Sequence, residues 1–341
     1  GVRACWGGFG WGRGWSLGHG VVCGGPCGAF VMIHEYALDP AVLISWADND
    51  RDYSEFFREY GLGTPRIVSS FPKKKASKLR SYLLKHSPQD TQSLAGQRYT
   101  EMVLKVVESI VVRDVDIQNT AVWTEAAVDE NRRAPFDVIL SSTEIQEGNN
   151  VTPASMYSRG SIWNHPGQIN VSRTNEGLLS AVVNLIRLAD EKIVIIDPFG
   201  WTAEAINFIQ FMLQSIASNR IFDGLPAIVL FYKEKRGSGN SGNGSPSADH
   251  VRQQILQGLT GDVSNMQLEV FELRETENSD VFHNRCILTE HGGVIAGHGI
   301  GVSGDELHTD EVILMKPKIY QKKWQQFIEK NCFEKASEAR S

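Results

Sequence analysis

The sequence predicts an α/β protein of two parts, in which a mixed sheet flanked by helices follows a mostly helical α or α+β N-terminal domain. Three observations predict this. At 341 residues, the chain is long enough for two domains with cores of their own. In the second half, fully apolar runs alternate with helical patterns, which is typical of a sheet covered on both faces. In the first half, apolar residues recur mainly at helical spacing.

The composition is that of an ordinary globular protein, with 41% hydrophobic and 22% charged residues. The net charge of -6 gives no global attraction for nucleic acid, so such binding requires a local basic patch. No apolar run approaches the roughly 20 residues of a membrane-spanning helix, so we expect a cytoplasmic protein. Cys23 and Cys27 fit a zinc site poorly, because no second pair follows them. We expect neither a metal nor a cofactor.

The first 31 residues differ from the rest of the chain because they are rich in Gly and Trp. Residues 8–14 imitate a nucleotide-binding loop but lack the preceding strand and the following helix. We therefore expect residues 1–31 to be a disordered or non-native leader, and ordinary protein to begin at Met32.

The N-terminal domain is expected over residues 32–170, in a role that its residues do not indicate. Residues 40–60 are predicted to be helical, and a basic stretch follows. A strong helix is predicted from Ser93, with apolar pairs at helical spacing up to Val111. Residues 136–140 are predicted to form a strand, and the loop-like residues 143–167 mark the domain boundary.

The second domain, over residues 171–335, alternates helices with apolar strands. Its predicted elements are helices 176–189, 203–217, 248–259 and 317–330 and strands 192–198, 227–232, 267–272, 281–289, 294–297 and 311–315. Asp197 ends the first of these strands. Residues that bind ligands in α/β proteins often lie at such carboxyl ends of strands. However, an Asp-Pro pair is also common at the beginning of an ordinary turn.

The most informative segment is residues 282–290. Alternate side chains of a strand share a face, so His283 and Arg285 are expected to be neighbours. An imidazole can attack phosphorus or protonate a leaving oxygen, and a guanidinium can hold two phosphate oxygens. Glu290 follows at the strand end, where it would orient the imidazole, although an acid there is commonplace. The catalytic candidates are His283, Arg285 and Glu290.

Glycines follow this strand, and Gly297 and Gly299 would allow close backbone approach to a bound group. His298, between them, is either a local general acid or a histidine satisfied by a neighbour. With Asp197, these three residues are the candidates for binding phosphate or supporting the catalytic side chains. A solvated loop that enters a strand is the expected structure of a further polar group, which could also be drawn as metal ligands. This group consists of Asp305, Glu306, His308, Asp310 and Glu311.

A basic cluster in the N-terminal domain is the best local patch for nucleic-acid phosphates. A solvated helix face would explain the same residues equally well. The cluster consists of Lys73, Lys74, Lys75 and Lys78.

The spacing around His283 resembles that of the phospholipase D superfamily. The signature of that family is His-x-Lys-x4-Asp, followed after six residues by a Gly-Ser or Gly-Gly step. This chain has His283, Arg285 and Glu290 at the corresponding positions and Gly297 after six further residues. It departs from the pattern in having Arg for Lys, Glu for Asp, and His298 where a small residue is usual. The resemblance covers roughly residues 175–330.

The resemblance implies a phospholipase-D-like mixed sheet and a metal-independent phosphodiesterase whose nucleophile is His283. Enzymes of the family use two such motifs, and this chain has one, so a second copy would supply the second histidine. The resemblance thus implies a homodimer acting on nucleic acid or another phosphodiester. The alternative is an inactive phosphate- or nucleic-acid-binding module of a larger assembly, because Arg285 can bind phosphate without supporting turnover. Lipid headgroup recognition is less supported, since no basic amphipathic helix is present.

Overall fold

The structure is a computed structural model that describes residues 31–222, 224–236, 244–276, 281–283, 285–305, 307–330 and 332–340. The predicted leader lies outside these residues, apart from Val31. The described chain forms two β-sheets with helices packed against them. None of the described helices is both long and apolar enough to cross a membrane.

The first sheet has five parallel strands in the order β3-β2-β1-β4-β5. These strands are β1 (His34–Leu38), β2 (Arg66–Ser69), β3 (Ile110–Val111), β4 (Val138–Leu140) and β5 (Asn150–Val151). Only the fourth was predicted. The N-terminal region is therefore not a helical domain with one strand but an α/β unit, whose helices surround a short parallel sheet.

Helices lie between β1 and β2, between β2 and β3 and between β3 and β4, as parallel strands require, and a last short helix follows β5. They are α1 (Pro40–Ala47), α2 (Asp50–Glu59), α3 (Ala76–Lys85), α4 (Leu94–Glu108), α5 (Trp123–Arg133) and α6 (Gly160–Trp163). The predicted helix from Ser93 is confirmed, and the hydroxyl of Ser93 caps it by accepting the Gly96 amide at 3.1 Å. Its apolar stripe, including Met102 and Val106, is buried against the sheet core.

The second sheet has eight strands in the order β13-β9-β8-β7-β10-β11-β12-β6. They are β6 (Gln168–Ser172), β7 (Lys192–Ile196), β8 (Ala227–Lys233), β9 (Leu268–Arg274), β10 (Cys286–Thr289), β11 (Gly292–Ala296), β12 (Thr309–Leu314) and β13 (Glu334–Ala339). β7, β8 and β9 are mutually parallel, whereas the other pairings are antiparallel. The predicted mixed sheet is confirmed.

Helices cover both faces of the second sheet, which explains the continuous apolar runs of its central strands. They are α7 (Asn175–Arg187), α8 (Ala203–Asn219), α9 (Ala248–Gln257) and α10 (Pro317–Trp324), with a 3-10 turn (Gly261–Asn265) and a π-helical turn (Gln325–Glu329). Alternate residues of β7 pack on opposite sides. Ile195 faces the core that α7, α8 and α9 share, and Ile196 faces the core of α10.

The two sheets are joined by polar contacts as well as by apolar packing. The side-chain amide of Asn184 donates to the Ile33 carbonyl at 3.0 Å, and Arg187 pairs with Asp137 at 3.0 Å. The last strand of the first sheet ends at Val151, and the second sheet begins at Gln168. The change of sheet therefore falls within the predicted loop-like segment.

Candidate functional site

One edge of the second sheet collects most of the residues that the sequence singled out. The parallel strands β7, β8 and β9 end at this edge. β10 runs antiparallel to β7 and begins there, with Cys286 opposite Ile196. β11 ends there, and its Ala296 amide donates to the Arg285 carbonyl at 3.0 Å. Residues after β7, before β10 and after β11 consequently meet, as expected at the carboxyl ends of strands in α/β folds.

A cleft of about 610 Å³ opens at this edge and is lined by His283, Arg285 and Gly297. It combines cationic side chains and one acidic residue, Glu234, with an apolar wall. Its lining includes the ammonium-bearing side chains Lys233, Lys235 and Lys323 and the aromatic side chains Phe199, Trp201 and Phe282. Cationic and aromatic groups around an exposed imidazole are suited to a phosphate ester that carries an apolar or aromatic substituent.

Arg285 is held in place on the floor of this cleft. Its Nη1 donates to the Gly297 carbonyl at 3.3 Å, and its guanidinium lies 5.5 Å from the centre of the Phe199 ring. The side chain remains partly exposed. Because this hydrogen bond anchors one nitrogen to the backbone, the orientation of the planar guanidinium and of its other N–H donors is restricted.

His283 lies before β10 and not within a strand, in contrast to the prediction for residues 281–289. The ladder between β7 and β10 stops at Cys286 because β7 ends at Ile196 and turns away at Pro198. Strand alternation therefore does not place His283 beside Arg285. The structure brings both to the cleft by a different route, with His283 exposed on the segment leading into β10.

Glu290 is not brought to His283. It follows β10, so the full length of this strand, about 13 Å at about 3.3 Å per residue, lies between Glu290 and the segment that carries His283. Its carboxylate accepts the backbone amides of Asp190 and Glu191 and lies 3.5 Å from the His291 ring. Within this chain, Glu290 fixes the turn that precedes β7 and does not orient the candidate nucleophile.

Glu275, which sequence reasoning missed, is an acid that the structure does place beside the His283 segment. Its carboxylate accepts the Phe282 amide and pairs with Lys233 at 2.8 Å. Burial alone would raise the pKa of Glu275, but these hydrogen bonds and the charges of Lys233 and His283 lower it below its ordinary value. Because Glu275 follows β9 at the same sheet edge, the strand order was the signal that could have identified it.

Asp197 is buried and uses both carboxylate oxygens within the protein. Oδ1 accepts the Phe199 amide at 2.8 Å, and Oδ2 accepts the Ile300 amide at 2.9 Å. Burial raises the pKa of Asp197, although these amides and the charges of Arg285 and Arg173 oppose the increase. Asp197 therefore ties the end of β7 to the glycine-rich loop after β11 and supports the cleft from beneath.

The glycines of this loop make room for buried carboxylates. Gly299 has a φ of +90°, and a Cβ there would lie 2.4 Å from Asp197 Oδ2. A Cβ on Gly297 would lie 2.9 Å from Asp310 Oδ1. We expected these glycines to allow close backbone approach to a bound group, and the neighbours that the structure places beside them are carboxylates of the protein.

Asp310 was expected in a solvated loop, and the structure instead buries it at the start of β12. Thr309–Leu314 alternates between exposed and buried positions, which places Asp310 on the same side as Val312 and Leu314. This alternation was readable in the sequence. Asp310 contacts His298, the exposed histidine of the glycine-rich loop.

The four lysines proposed for nucleic-acid contact lie in the first unit, and none of them lines the cleft. Lys73 is buried and donates to Asp116 at 3.3 Å, and Lys78 pairs with the same carboxylate at 2.5 Å. Lys74 pairs with Asp114 at 2.5 Å, and Lys75 precedes α3 as an exposed side chain. Much of the charge of this cluster is therefore compensated within the fold.

Replacing Asp197 with alanine should lower the free energy of unfolding by about 2 kcal/mol, because two buried amides lose their acceptor. Urea denaturation measures this change. Glu204→Ala is the matched control, since Glu204 is exposed at the start of α8 and should change stability by less than about 0.5 kcal/mol. Equal stabilities of the two variants would contradict the assignment of Asp197 as the tie between β7 and the loop.

No protein-family model matches the sequence, and no curated protein matches it significantly. Among solved structures, a phospholipase D family member, Nuc from Salmonella typhimurium, aligns with 50% of this chain and 97% of its own. The two sequences are 13% identical over the alignment, and the TM-score is 0.32. A similarity this remote assigns neither a family nor an activity to the chain.

Proposed function

We propose that this chain is a metal-independent phosphodiesterase that cleaves nucleic acid through a phosphohistidine on His283. The single observation that carries the proposal is the cleft in which an exposed imidazole, an anchored guanidinium and three lysines surround one space. Cationic side chains can neutralise the charge of a phosphodiester, which is the role that a metal ion has in other phosphodiesterases.

The chemistry assigned to these residues is a double displacement at phosphorus. A ring nitrogen of His283 attacks the phosphorus, a phosphorus–nitrogen bond forms, and the bond to the leaving alcohol oxygen breaks. A proton donor converts the departing alkoxide to an alcohol. Water then displaces His283, which releases a phosphomonoester. Arg285 holds the non-bridging oxygens throughout, because its fork matches their geometry.

The aromatic lining supports nucleic acid as the substrate class. Phe199 is 50% exposed at the mouth of the cleft, beside the Arg285 guanidinium. Lys235 lies 5.9 Å from the centre of the Trp201 ring. Exposed rings next to cations are the means by which proteins bind single-stranded nucleic acid, since bases stack on the rings and phosphates pair with the cations.

A second candidate is a phosphate-binding module without turnover. The position of Glu290 favours this binding module. The acid that was predicted to orient His283 instead accepts backbone amides of the turn before β7, at the other end of β10. A module of this kind would bind through Arg285 and the cleft lysines, and replacement of His283 would leave its affinity unchanged.

The discriminating experiment incubates the purified chain with a labelled single-stranded oligonucleotide and with bis(p-nitrophenyl) phosphate in excess chelator. The proposal predicts cleavage of both compounds by the wild-type chain and cleavage of neither by His283→Ala. If both proteins bind the oligonucleotide with the same affinity and neither cleaves it, the result would contradict the enzyme and support the binding module.

The homodimer that the resemblance implies stays a prediction. Light scattering on the purified chain measures the mass in solution and so tests it. If a second copy supplies the other histidine, activity per chain should fall when dilution separates the copies. Activity that is independent of concentration down to the monomer would contradict a site shared between two chains.

A further inference from the structure

A second histidine, His298, lies at the same sheet edge as His283 and belongs to the same chain. It directly follows Gly297, whose carbonyl accepts the Arg285 guanidinium at 3.3 Å. Its side chain is 67% exposed. Arg285, which would hold the phosphate, thus follows His283 by two residues in the chain and is hydrogen-bonded to the residue that precedes His298.

His298 is oriented by a buried acid. Its Nδ1 lies 3.1 Å from Oδ1 of Asp310, and its backbone amide donates to both carboxylate oxygens at 3.1 Å. The Asp310 side chain is 0% exposed. A carboxylate only accepts hydrogen bonds, so Nδ1 carries a proton and the remaining nitrogen, Nε2, is left to exchange protons with a substrate.

His298 faces a second, smaller cleft of about 280 Å³. Phe199 lines this cleft and the larger one, so the two spaces meet at its ring. Arg173 and Thr202 are among the other lining residues of the smaller cleft. A phosphodiester held by Arg285 can thus place one substituent on the His283 side of Phe199 and the other on the His298 side.

We propose that His298 is the proton donor and acceptor of the reaction and that Asp310 is its positioning residue, so that one chain holds a complete catalytic pair. This inference rests on the proposed function. As the bond from His283 to phosphorus forms, protonated His298 gives its Nε2 proton to the leaving alkoxide. Neutral His298 then accepts a proton from the attacking water while the phosphorus–nitrogen bond breaks, which restores both histidines.

Changing the leaving group distinguishes proton donation by His298 from a purely structural role of this residue. An alkoxide leaving group needs a proton, whereas p-nitrophenolate leaves without one. His298→Ala should therefore cleave a dinucleoside phosphate roughly 10²–10⁴-fold more slowly than wild type. Its first-turnover burst of p-nitrophenolate from bis(p-nitrophenyl) phosphate should keep the wild-type rate. Asp310→Asn should show the same selective loss to a smaller extent.

His308→Ala is the matched control, because His308 is also an exposed histidine near an aspartate, with Nε2 3.8 Å from Asp305, and lines neither cleft. It should behave as wild type on both substrates. Equal losses of His298→Ala on both substrates, or no loss on either, would overturn the inference. A wild-type chain inactive on both substrates would instead overturn the proposed function itself.

Mixing variants tests whether the pair lies within one chain. Equal amounts of His283→Ala and His298→Ala should remain inactive on the dinucleoside phosphate, because every chain then lacks one histidine. Recovered activity would show that the two histidines act across two copies and would overturn the single-chain arrangement. His298→Gln, which keeps a polar side chain of similar size, repeats the test if the alanine variant folds poorly.

Discussion

Replacing His283 with alanine should lower kcat for phosphodiester cleavage by about 10⁴–10⁶-fold, the range found when a covalent nucleophile is removed. The loss is expected in the chemical step because the imidazole forms the bond to phosphorus. Substrate affinity should change little, since Arg285 and the cleft lysines remain. Single-turnover rates and oligonucleotide affinity, measured on the same preparation, separate the two effects.

His250→Ala is a suitable control for this experiment. His250 is an exposed histidine on α9 and lies outside the residues that line the cleft. It should retain the wild-type rate. If His283→Ala kept more than about a tenth of the wild-type kcat, an imidazole nucleophile at this position would be excluded, because water could not replace it so effectively.

Replacing Arg285 with alanine should lower kcat/KM by about 10²–10³-fold, because the charge that develops on the phosphoryl oxygens loses its anchored donor. Arg285→Lys should recover only part of this loss. A lysine keeps the charge, but it cannot bond the Gly297 carbonyl and still present a planar fork to two oxygens. The comparison of kcat/KM for the three proteins measures the contribution of the fork.

Arg132→Ala controls for the loss of one positive charge, since Arg132 is an exposed residue of the first unit paired with Asp129. Its kcat/KM should match that of the wild type within about twofold, because Arg132 does not line the cleft and its exposed charge is paired with Asp129 and screened by salt. Full activity of Arg285→Lys would contradict bidentate binding of phosphate and would show that a positive charge alone is sufficient at this position.

The sequence predicted the second sheet far better than the first, for reasons of length and burial. β7 is buried from Ile193 to Ile196, so its continuous apolar run was readable. β3 and β5 have two residues each, which is too short for any periodic pattern. β2 begins with a charged residue, Arg66, whose burial depends on partners distant in sequence.

Residues of the candidate site could be predicted where they lie at the ends of adjacent strands. They could not be predicted where closeness in the sequence motif was taken to mean closeness in space. Asp197, Arg285 and Gly297 meet because adjacent strands end or begin at one edge. Glu290 follows the same motif, but an extended strand carries it away from His283. Glu275 reaches the site from another strand, and no local pattern connects it to His283.

The most direct measurement of the central claim is a mass map of the protein after one turnover of bis(p-nitrophenyl) phosphate. The sample must be kept alkaline, because phosphohistidine is unstable in acid. We predict a p-nitrophenylphosphoryl adduct on the peptide that contains His283 and no such adduct in His283→Ala. Release of p-nitrophenolate with no adduct on the wild-type chain, or with the adduct on another residue, would contradict the assignment of His283 as the nucleophile.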